Sequence, residues 1–314
     1  MKTLLWLALG LTLPAISMAQ LDILHPMSRA VYQRDGSDNA TITIAGQFLG
    51  SAPSNYQMDY KLDKLNVTDG SYNSTITNWT SIVSNPGFGI SRTSITVSKG
   101  WYKVSVRAYN TSTSSTITSN DARFGVGDVY LIAGQSNAQG VDDNSWHLPS
   151  VSINDGVVSN NLLDECNQSL PPYPSMSTIS AYNRIAPNGN NSWCYAHLGT
   201  ELSNNTSAPI AFFNAAYGGS TITNWQESAA GNATTSIYTS SQYCGSGYVG
   251  QPYKALKNVL QFHATLYGAR AVLWHEGESD NDKQYNNLTS ESAYTSALDD
   301  VISQSRTDLS SNLR

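Results

Sequence analysis

The chain has 314 residues, of which 13% are charged, 40% are hydrophobic and 10% are aromatic. This length is typical of two domains, and the hydrophobic and aromatic content excludes a charge-rich disordered chain. The formal net charge of −6 provides no basic surface for nucleic acid or anionic lipid, so neither is expected as a partner.

The first 19 residues predict a secretory signal peptide. Lys2 precedes an apolar run over residues 4–16, and small residues precede Gln20. An uncleaved membrane anchor is the alternative, but Pro14 interrupts a run that is shorter than the ~20 apolar residues of a spanning helix. We therefore expect a secreted, periplasmic or cell-surface protein that begins at Gln20 after cleavage and is no longer attached to a membrane.

Residues 20–126 alternate apolar and polar side chains in short runs, such as Thr41–Ile44 and Tyr102–Tyr109. Alternation at period two is typical of strands with one buried face, and Asp-Gly and Asn-Pro-Gly turn signals separate the runs. The pattern predicts an all-β sandwich of immunoglobulin or fibronectin type. It is compatible with sugar recognition or docking, and equally with a covering domain that only stabilises its neighbour.

From residue 127 to residue 314, short apolar strands alternate with helical stretches, which predicts an α/β domain with a parallel sheet covered by helices. The predicted strands are 128–133, 209–215 and 269–274, and the predicted helices are 193–202, 253–266 and 290–305. Residues 141–191 form a long segment rich in Asn, Ser and Pro. In this architecture a site is expected at the carboxyl ends of the strands.

The three cysteines are Cys166, Cys194 and Cys244. An oxidising compartment favours one disulfide and leaves one thiol, but the sequence leaves open which two residues pair. Their spacing contains no metal-binding pair, so no metal is expected.

The first candidate site residue is Ser136. The strand predicted over 128–133 runs directly into GQSNAQG over residues 134–140. A serine at a strand-to-helix turn exposes its hydroxyl at the sheet edge, as a nucleophile requires. The ordinary alternative is a helix N-cap, and the spacing alone favours that alternative.

Two further loops follow predicted strands. The sequence AAYGGSTITNW over residues 215–225 contains adjacent glycines, and the N–H of Gly219 is suited to an oxyanion hole. The alternative is a tight turn that needs a positive φ angle. WHEGESD over residues 274–280 places one histidine and three carboxylates in one loop, which favours function because crowded acids need hydrogen bonds or perturbed pKa values.

Together, GQSN, GGSTITNW and WHEGESD, in this order after successive strands, resemble the motifs of SGNH-type esterases of the sialate O-acetylesterase and family 6 carbohydrate esterase group. The resemblance covers residues 127–314 and implies an SGNH-hydrolase domain with a flavodoxin-like three-layer fold. It implies that Ser136 is the nucleophile. It also implies an oxyanion hole formed by the Ser136 and Gly219 backbone N–H groups and the Asn137 side chain. The candidates for supporting roles are Gln135, His275, Glu276 and Asp280.

The third motif departs from the family pattern. The acetylxylan esterase branch has His-Gln-Gly-Glu, and its glutamate implies that Glu278 is the acid of the catalytic triad. Glu276 replaces the glutamine here. A carboxylate at this position would repel a developing oxyanion unless it is protonated or turned away, so we expect either another donor or reduced activity on acetyl esters.

The catalytic histidine of the family lies in a carboxyl-terminal Asp-x-x-His or Asp-x-His segment, after a helix that resembles residues 294–306 and a further strand. This chain ends before both. The histidines outside the third motif are His25, His147, His197 and His263. We therefore expect that the 314 residues are part of a longer protein whose catalytic histidine lies past Arg314. Without a general base, a serine hydroxyl is a poor nucleophile.

The resemblance implies a serine esterase that removes acetyl groups from a carbohydrate, its expected partner, without a metal or organic cofactor. The main alternative is a carbohydrate-binding or scaffolding protein that has kept the esterase fold and lost its chemistry, which Glu276 and the missing base favour. A peptidase or lipase is a weaker third interpretation. The sequence leaves open which acetylated sugar is bound.

Overall fold

The structure is a computed structural model. It describes residues 20–49, 55–87, 89–140, 153–164, 166, 171–180 and 183–310. The predicted signal peptide and His147 lie outside the described residues. Among the described residues, no helix is long and apolar enough to cross a membrane.

The amino-terminal half consists of strands. Their bounds are β1 (Gln20–His25), β2 (Ala30–Gln33), β3 (Asn39–Leu49), β4 (Tyr56–Leu65), β5 (Tyr72–Ser84), β6 (Ile90–Ser98), β7 (Gly100–Asn110) and β8 (Ser115–Gly134). In the described part of the chain, β1, β3 and β6 form one antiparallel sheet, while β4, β5, β7 and β8 belong to a second. Apolar side chains of both sheets share one buried cluster, because period-two alternation turns every second residue inward. The immunoglobulin or fibronectin assignment of this half stays a prediction.

Strand β8 joins the two halves of the molecule. Its first part pairs antiparallel with β7, and its last part pairs parallel with strands of the carboxyl-terminal half. Residues 124–127 of β8 also pair parallel with β2. The predicted domain boundary between residues 126 and 127 therefore falls inside a continuous strand.

The carboxyl-terminal half continues the second sheet. Its remaining strands are β9 (Val157–Asn160), β10 (Met176–Thr178), β11 (Ile210–Asn214), β12 (Ala271–His275), β13 (Asn281–Asp282) and β14 (Asn287–Leu288). Strands β9, β11, β8 and β12 are parallel neighbours, but β10 pairs antiparallel with β9. The predicted parallel strands are therefore present but belong to a larger mixed sheet, because β8 also pairs antiparallel with β7 and β10 pairs antiparallel with β9. The α/β class is retained.

Helices cover both faces of this sheet. Their bounds are α1 (Ser136–Gln139), α2 (Tyr195–Thr206), α3 (Ile222–Ala229), α4 (Tyr253–Asn258), α5 (Ala264–Tyr267) and α6 (Glu291–Ser310), with a π-helical turn over Val259–His263 between α4 and α5. Val129 and Leu131 pack on the side of α3 to α6, whereas Ile132 packs with α1 and α2. The helices predicted over 193–202, 253–266 and 290–305 are all present with small shifts at their ends.

Candidate active site

Three loops meet at one edge of the sheet. Strand β8 lies between β11 and β12 in parallel register, with Ile132 beside Asn214 and Gly134 beside His275. The first loop (residues 134–140), the second loop (residues 215–221) and the third loop (residues 276–290) therefore leave the sheet side by side. Carboxyl ends of parallel strands are where ligands bind in such sheets.

Ser136 is exposed and is the first residue of α1. The N-cap of this helix is Gln135, so the alternative in which Ser136 caps the helix is not what the structure shows. Among the described residues, no group hydrogen-bonds to Ser136 Oγ. Gly134 sets the turn: its φ angle is 129°, and a Cβ there would collide with the carbonyl oxygen of His275.

Gln135 connects the first loop to the third. Its side chain is buried, and Oε1 accepts hydrogen bonds from the backbone N–H groups of Gly277 (3.3 Å) and Ser279 (3.0 Å). Its own backbone N–H donates to the carbonyl of His275 at 3.0 Å. Gln135 thereby holds the third motif against the strand that leads to Ser136, which is a supporting role.

The second loop packs directly against Ser136. A Cβ built on Gly218 would lie 3.7 Å from Ser136 Cβ, and the Gly218 N–H donates to Gln139 Oε1 at 2.8 Å. Gly219 has a φ angle of 73°, so the turn does require glycine-like backbone freedom. Its N–H has no acceptor among the described residues, and an uncommitted donor is what an oxyanion hole needs. The turn geometry and the predicted donor role of Gly219 are therefore compatible.

Asn137 and Glu278 are directly connected. Asn137 Nδ2 donates to Glu278 Oε1 at 2.6 Å. The same carboxylate oxygen lies 3.3 Å from Nε2 of His275, and both of these side chains are exposed. The predicted oxyanion donor thus holds the predicted triad acid, and His275 contacts Glu278 rather than Ser136.

The contacts of Asp280 indicate a structural role. It is 3% exposed, and its Oδ2 accepts the backbone N–H of Ile222 at 2.9 Å, at the start of α3. Its Oδ1 accepts from Thr289 Oγ1 at 2.8 Å. Negative charge at a helix N-terminus is stabilising, so Asp280 fastens the third loop to α3.

Glu276 is the unusual residue of the third motif. Both carboxyl oxygens are buried without a hydrogen-bond partner within normal distance among the described residues. Burial, and then the neighbouring Asp280 carboxyl, raise the pKa of Glu276 to about 9. The side chain is therefore a neutral acid near pH 7. A protonated Glu276 would not repel a developing oxyanion.

We predict that Glu276→Gln makes the protein less sensitive to alkaline pH. Because the pKa rises from its ordinary 4.5 to about 9 on folding, the native state keeps a proton that the unfolded chain releases. This contribution to stability is complete below the unfolded pKa and is lost as pH rises through about 9. Calorimetric melting gives the Tm of the variant minus the Tm of the parent at each pH. This difference should be larger at pH 9 than at pH 5 by roughly 3 °C or more.

The matched control for this prediction is Glu201→Gln, at an exposed position of α2. It should leave the pH dependence of Tm unchanged. An unchanged pH dependence in Glu276→Gln as well would show that Glu276 is ionised in the native protein.

The other described histidines lie away from Ser136. His25 is in β1, His197 is exposed on α2, and His263 is buried with its ring centroid 4.9 Å from that of Phe213. Burial lowers the pKa of His263 to about 4, so this ring is neutral. None of the three contacts Ser136, and His147 lies outside the described residues.

Two residues near the site were not singled out from the sequence. Gln139 accepts the Gly218 N–H and donates to the carbonyl of Asn188 at 2.8 Å, so it joins the first and second loops. Its spacing of one helical turn from Gln135 is the signal that could have identified it. Tyr238 lies against Gly219: its Cδ2 would be 3.1 Å from a Cβ at that glycine. No local signal marks Tyr238, because it is distant in sequence from all three motifs.

A disulfide links two segments near the site. Cys166 pairs with Cys244, and Cys194 is free and exposed. The Tyr217 hydroxyl lies 3.3 Å from Cys244 Sγ. The disulfide therefore links the long Asn-rich segment to Cys244, which contacts the second loop. It also identifies which two cysteines pair, which the sequence left open.

A family model described as a carbohydrate esterase, sialic acid-specific acetylesterase, matches residues 126–313, more than half of the chain. The matched region contains the three loops and the parallel strands of the carboxyl-terminal half, and its fold is of the α/β class. The chain belongs to this family of carbohydrate esterases.

Among solved structures, the chain is similar to a carbohydrate acetylesterase from Xanthomonas citri, with 16% identity and a TM-score of 0.44. The match covers 90% of this chain and 56% of the other, so the chain spans little more than half of that protein's length. A protein from Arabidopsis thaliana matches with 18% identity and a TM-score of 0.37, over 59% of this chain and 70% of the other. No curated protein matches the chain significantly.

Proposed function

We propose that the protein is a secreted serine esterase that removes O-acetyl groups from a carbohydrate. The observation that carries the proposal is the exposed Ser136 at the end of β8, packed against a glycine loop whose Gly219 N–H has no acceptor among the described residues. Membership of a carbohydrate esterase family supports the substrate class.

In the proposed reaction, Ser136 Oγ forms a bond to the acetyl carbonyl carbon while its proton passes to a general base. The N–H groups of Ser136 and Gly219, with the amide of Asn137, hold the resulting oxyanion. Collapse of the tetrahedral intermediate breaks the carbon–oxygen bond to the sugar, which leaves as an alcohol after receiving the proton. Water then attacks the acetyl-serine, so that acetate is released and the serine hydroxyl is restored.

We propose that the general base is a histidine outside the described residues and that Glu278 orients it. Support comes from a hydrogen bond that Glu278 Oε1 accepts from Asn137 at 2.6 Å. Asn137 directly follows the proposed nucleophile Ser136 in the sequence. His275 approaches the same oxygen at 3.3 Å and stabilises the loop in this scheme.

We predict that His275→Ala lowers kcat/KM for an aryl acetate by less than about tenfold, because the loss of a general base costs roughly 10²–10⁴-fold and a supporting contact costs less. His147→Ala, measured in parallel, shows whether the base is His147, which lies outside the described residues. A loss of ~10²-fold or more in His275→Ala alone would make His275 the base and contradict the proposal.

A fluorophosphonate probe separates the esterase from a binding protein that has lost its chemistry. The probe labels a serine only when that serine is activated as a nucleophile. Labelling that disappears in Ser136→Ala supports the esterase. Sugar binding without labelling supports the binding protein.

A further inference from the structure

Two exposed tyrosine rings lie together beside the second and third loops. Tyr238 is 37% exposed and Tyr285 is 45% exposed. Their ring centroids are 4.7 Å apart with the planes at 76°, an edge-to-face pair. Aromatic pairs of this kind hold each other in a defined orientation.

Tyr238 spans the second and third loops. Its ring borders Gly219, with Cδ2 3.1 Å from the position of a Cβ there. Its hydroxyl is shared between Ser279 Oγ at 3.2 Å and Asp282 Oδ2 at 3.1 Å. The ring is therefore held through its hydroxyl and by its contact with Tyr285, next to the proposed oxyanion donor.

A rigid, half-exposed aromatic ring beside a reacting centre suits one class of ligand. The axial C–H groups of a pyranose ring form an apolar face that packs on an aromatic ring, while its hydroxyls stay hydrated or hydrogen-bonded. Tyrosine loses little conformational entropy when it binds in this way, since it has few rotatable bonds and is already held in place.

The charges of the site favour an uncharged sugar. Apart from Glu276, whose pKa is raised, the third loop contains three acids against the single basic residue Lys283, and the first and second loops contain no Lys or Arg in the sequence. The three acids are Glu278, Asp282 and the buried Asp280. The segment that carries Tyr238, residues 231–252, has no charged residue at all. A sugar carboxylate would meet like charge here, which costs binding free energy.

From these contacts and charges, we propose that Tyr238, held in place by Tyr285, is the platform on which a neutral acetylated pyranose stacks to present its ester to Ser136. The proposal rests on the proposed esterase function and adds the substrate class. It makes Tyr238 a specificity-determining residue and disfavours sugars that carry a carboxylate.

The test is calorimetric binding in a Ser136→Ala background, which measures sugar binding independently of turnover. The probes are an acetylated xylo-oligosaccharide, which is neutral, and an O-acetylated sialic acid, which carries a carboxylate. The variants are Tyr238→Ala, Tyr238→Leu and Tyr238→Phe. Tyr72→Ala, at a tyrosine on β5 that is 61% exposed, is the matched control.

We expect Tyr238→Ala and Tyr238→Leu to raise the Kd for the neutral probe about tenfold, or roughly 1.4 kcal/mol. Tyr238→Phe keeps the ring and should stay within about threefold of the parent, as should Tyr72→Ala. The sialic acid probe should bind more weakly than the neutral probe.

Equal binding by Tyr238→Leu and the parent would overturn the proposal, and so would tighter binding of sialic acid or no binding of the neutral probe. Failure of the esterase function is seen separately, as absent aryl acetate turnover and absent fluorophosphonate labelling in protein that retains Ser136. Melting curves of each variant confirm that a loss of binding does not come from unfolding.

Discussion

In protein that contains the proposed general base, Ser136→Ala is expected to lower kcat/KM for an aryl acetate by about 10⁴-fold or more, because it removes the atom that forms the covalent intermediate. The structure places this hydroxyl at the exposed first position of α1, against Gly218 of the second loop. The side chain accepts no hydrogen bond that the fold depends on within the described residues. The melting temperature should therefore stay close to that of the parent while activity is lost.

The matched control is Ser292→Ala, since Ser292 is also an exposed serine in the first turn of a helix, α6. Its kcat/KM should equal that of the parent. If Ser136→Ala turns over the aryl acetate as fast as the parent, Ser136 is not the nucleophile, and membership of the family does not change that conclusion.

The largest expected effect on stability is at Asp155, which connects the two halves of the molecule. Its carboxylate binds Arg29 and Arg123, each at 2.8 Å, and accepts the indole N–H of the fully buried Trp101 at 2.9 Å. Asp155 precedes β9, whereas these partners belong to the amino-terminal half. Asp155→Ala removes the carboxylate from Arg29 and Arg123 and the acceptor from the buried indole N–H, although Arg29 keeps its bonds to the Asp155 carbonyl and to Thr178 Oγ1. We expect a loss of about 3 kcal/mol of unfolding free energy.

In a calorimetric melt, this loss corresponds to a Tm lower by roughly 6–12 °C. Burial works to raise the pKa of Asp155, but hydrogen bonds from Arg29 and Trp101 and the nearby positive charges outweigh it and lower the pKa. The stabilisation is therefore present above the unfolded pKa and disappears as pH falls through the lower folded value. The difference between Asp155→Ala and the parent should shrink in acid.

Asp121→Ala is the control for this prediction, because Asp121 forms a solvent-exposed ion pair with Lys103 at 3.7 Å. Exposed pairs contribute about 0–1 kcal/mol, so its Tm should change little. A similarly small change in Asp155→Ala would mean that the arginines and Trp101 find other partners in the variant.

Local patterns in the sequence predicted three strands and three helices that the carboxyl-terminal half contains, but not α3 or the strands β9 and β10, which lie within the segment interpreted as a long loop. The sequence predicts a helix over 253–266, and the structure has a continuous helical segment from Tyr253 to Tyr267. The position of Ser136 at a strand end follows from the same kind of pattern. The order of the parallel strands then brings its loop beside those of Gly219 and Glu278. The catalytic roles of Ser136, Gly219 and Glu278 remain predictions.

Side-chain periodicity records which face of each element is buried, and glycine positions record where the backbone turns, so element types and the strand-end loops could be derived from residue order. The continuous strand β8, the pairing of Cys166 with Cys244, the neutral acid at Glu276 and the ring of Tyr238 beside Gly219 depend on segments that are distant in the chain. Each arises from burial or contact between such segments, and no local pattern carries that information. These four features are therefore determined by the tertiary structure.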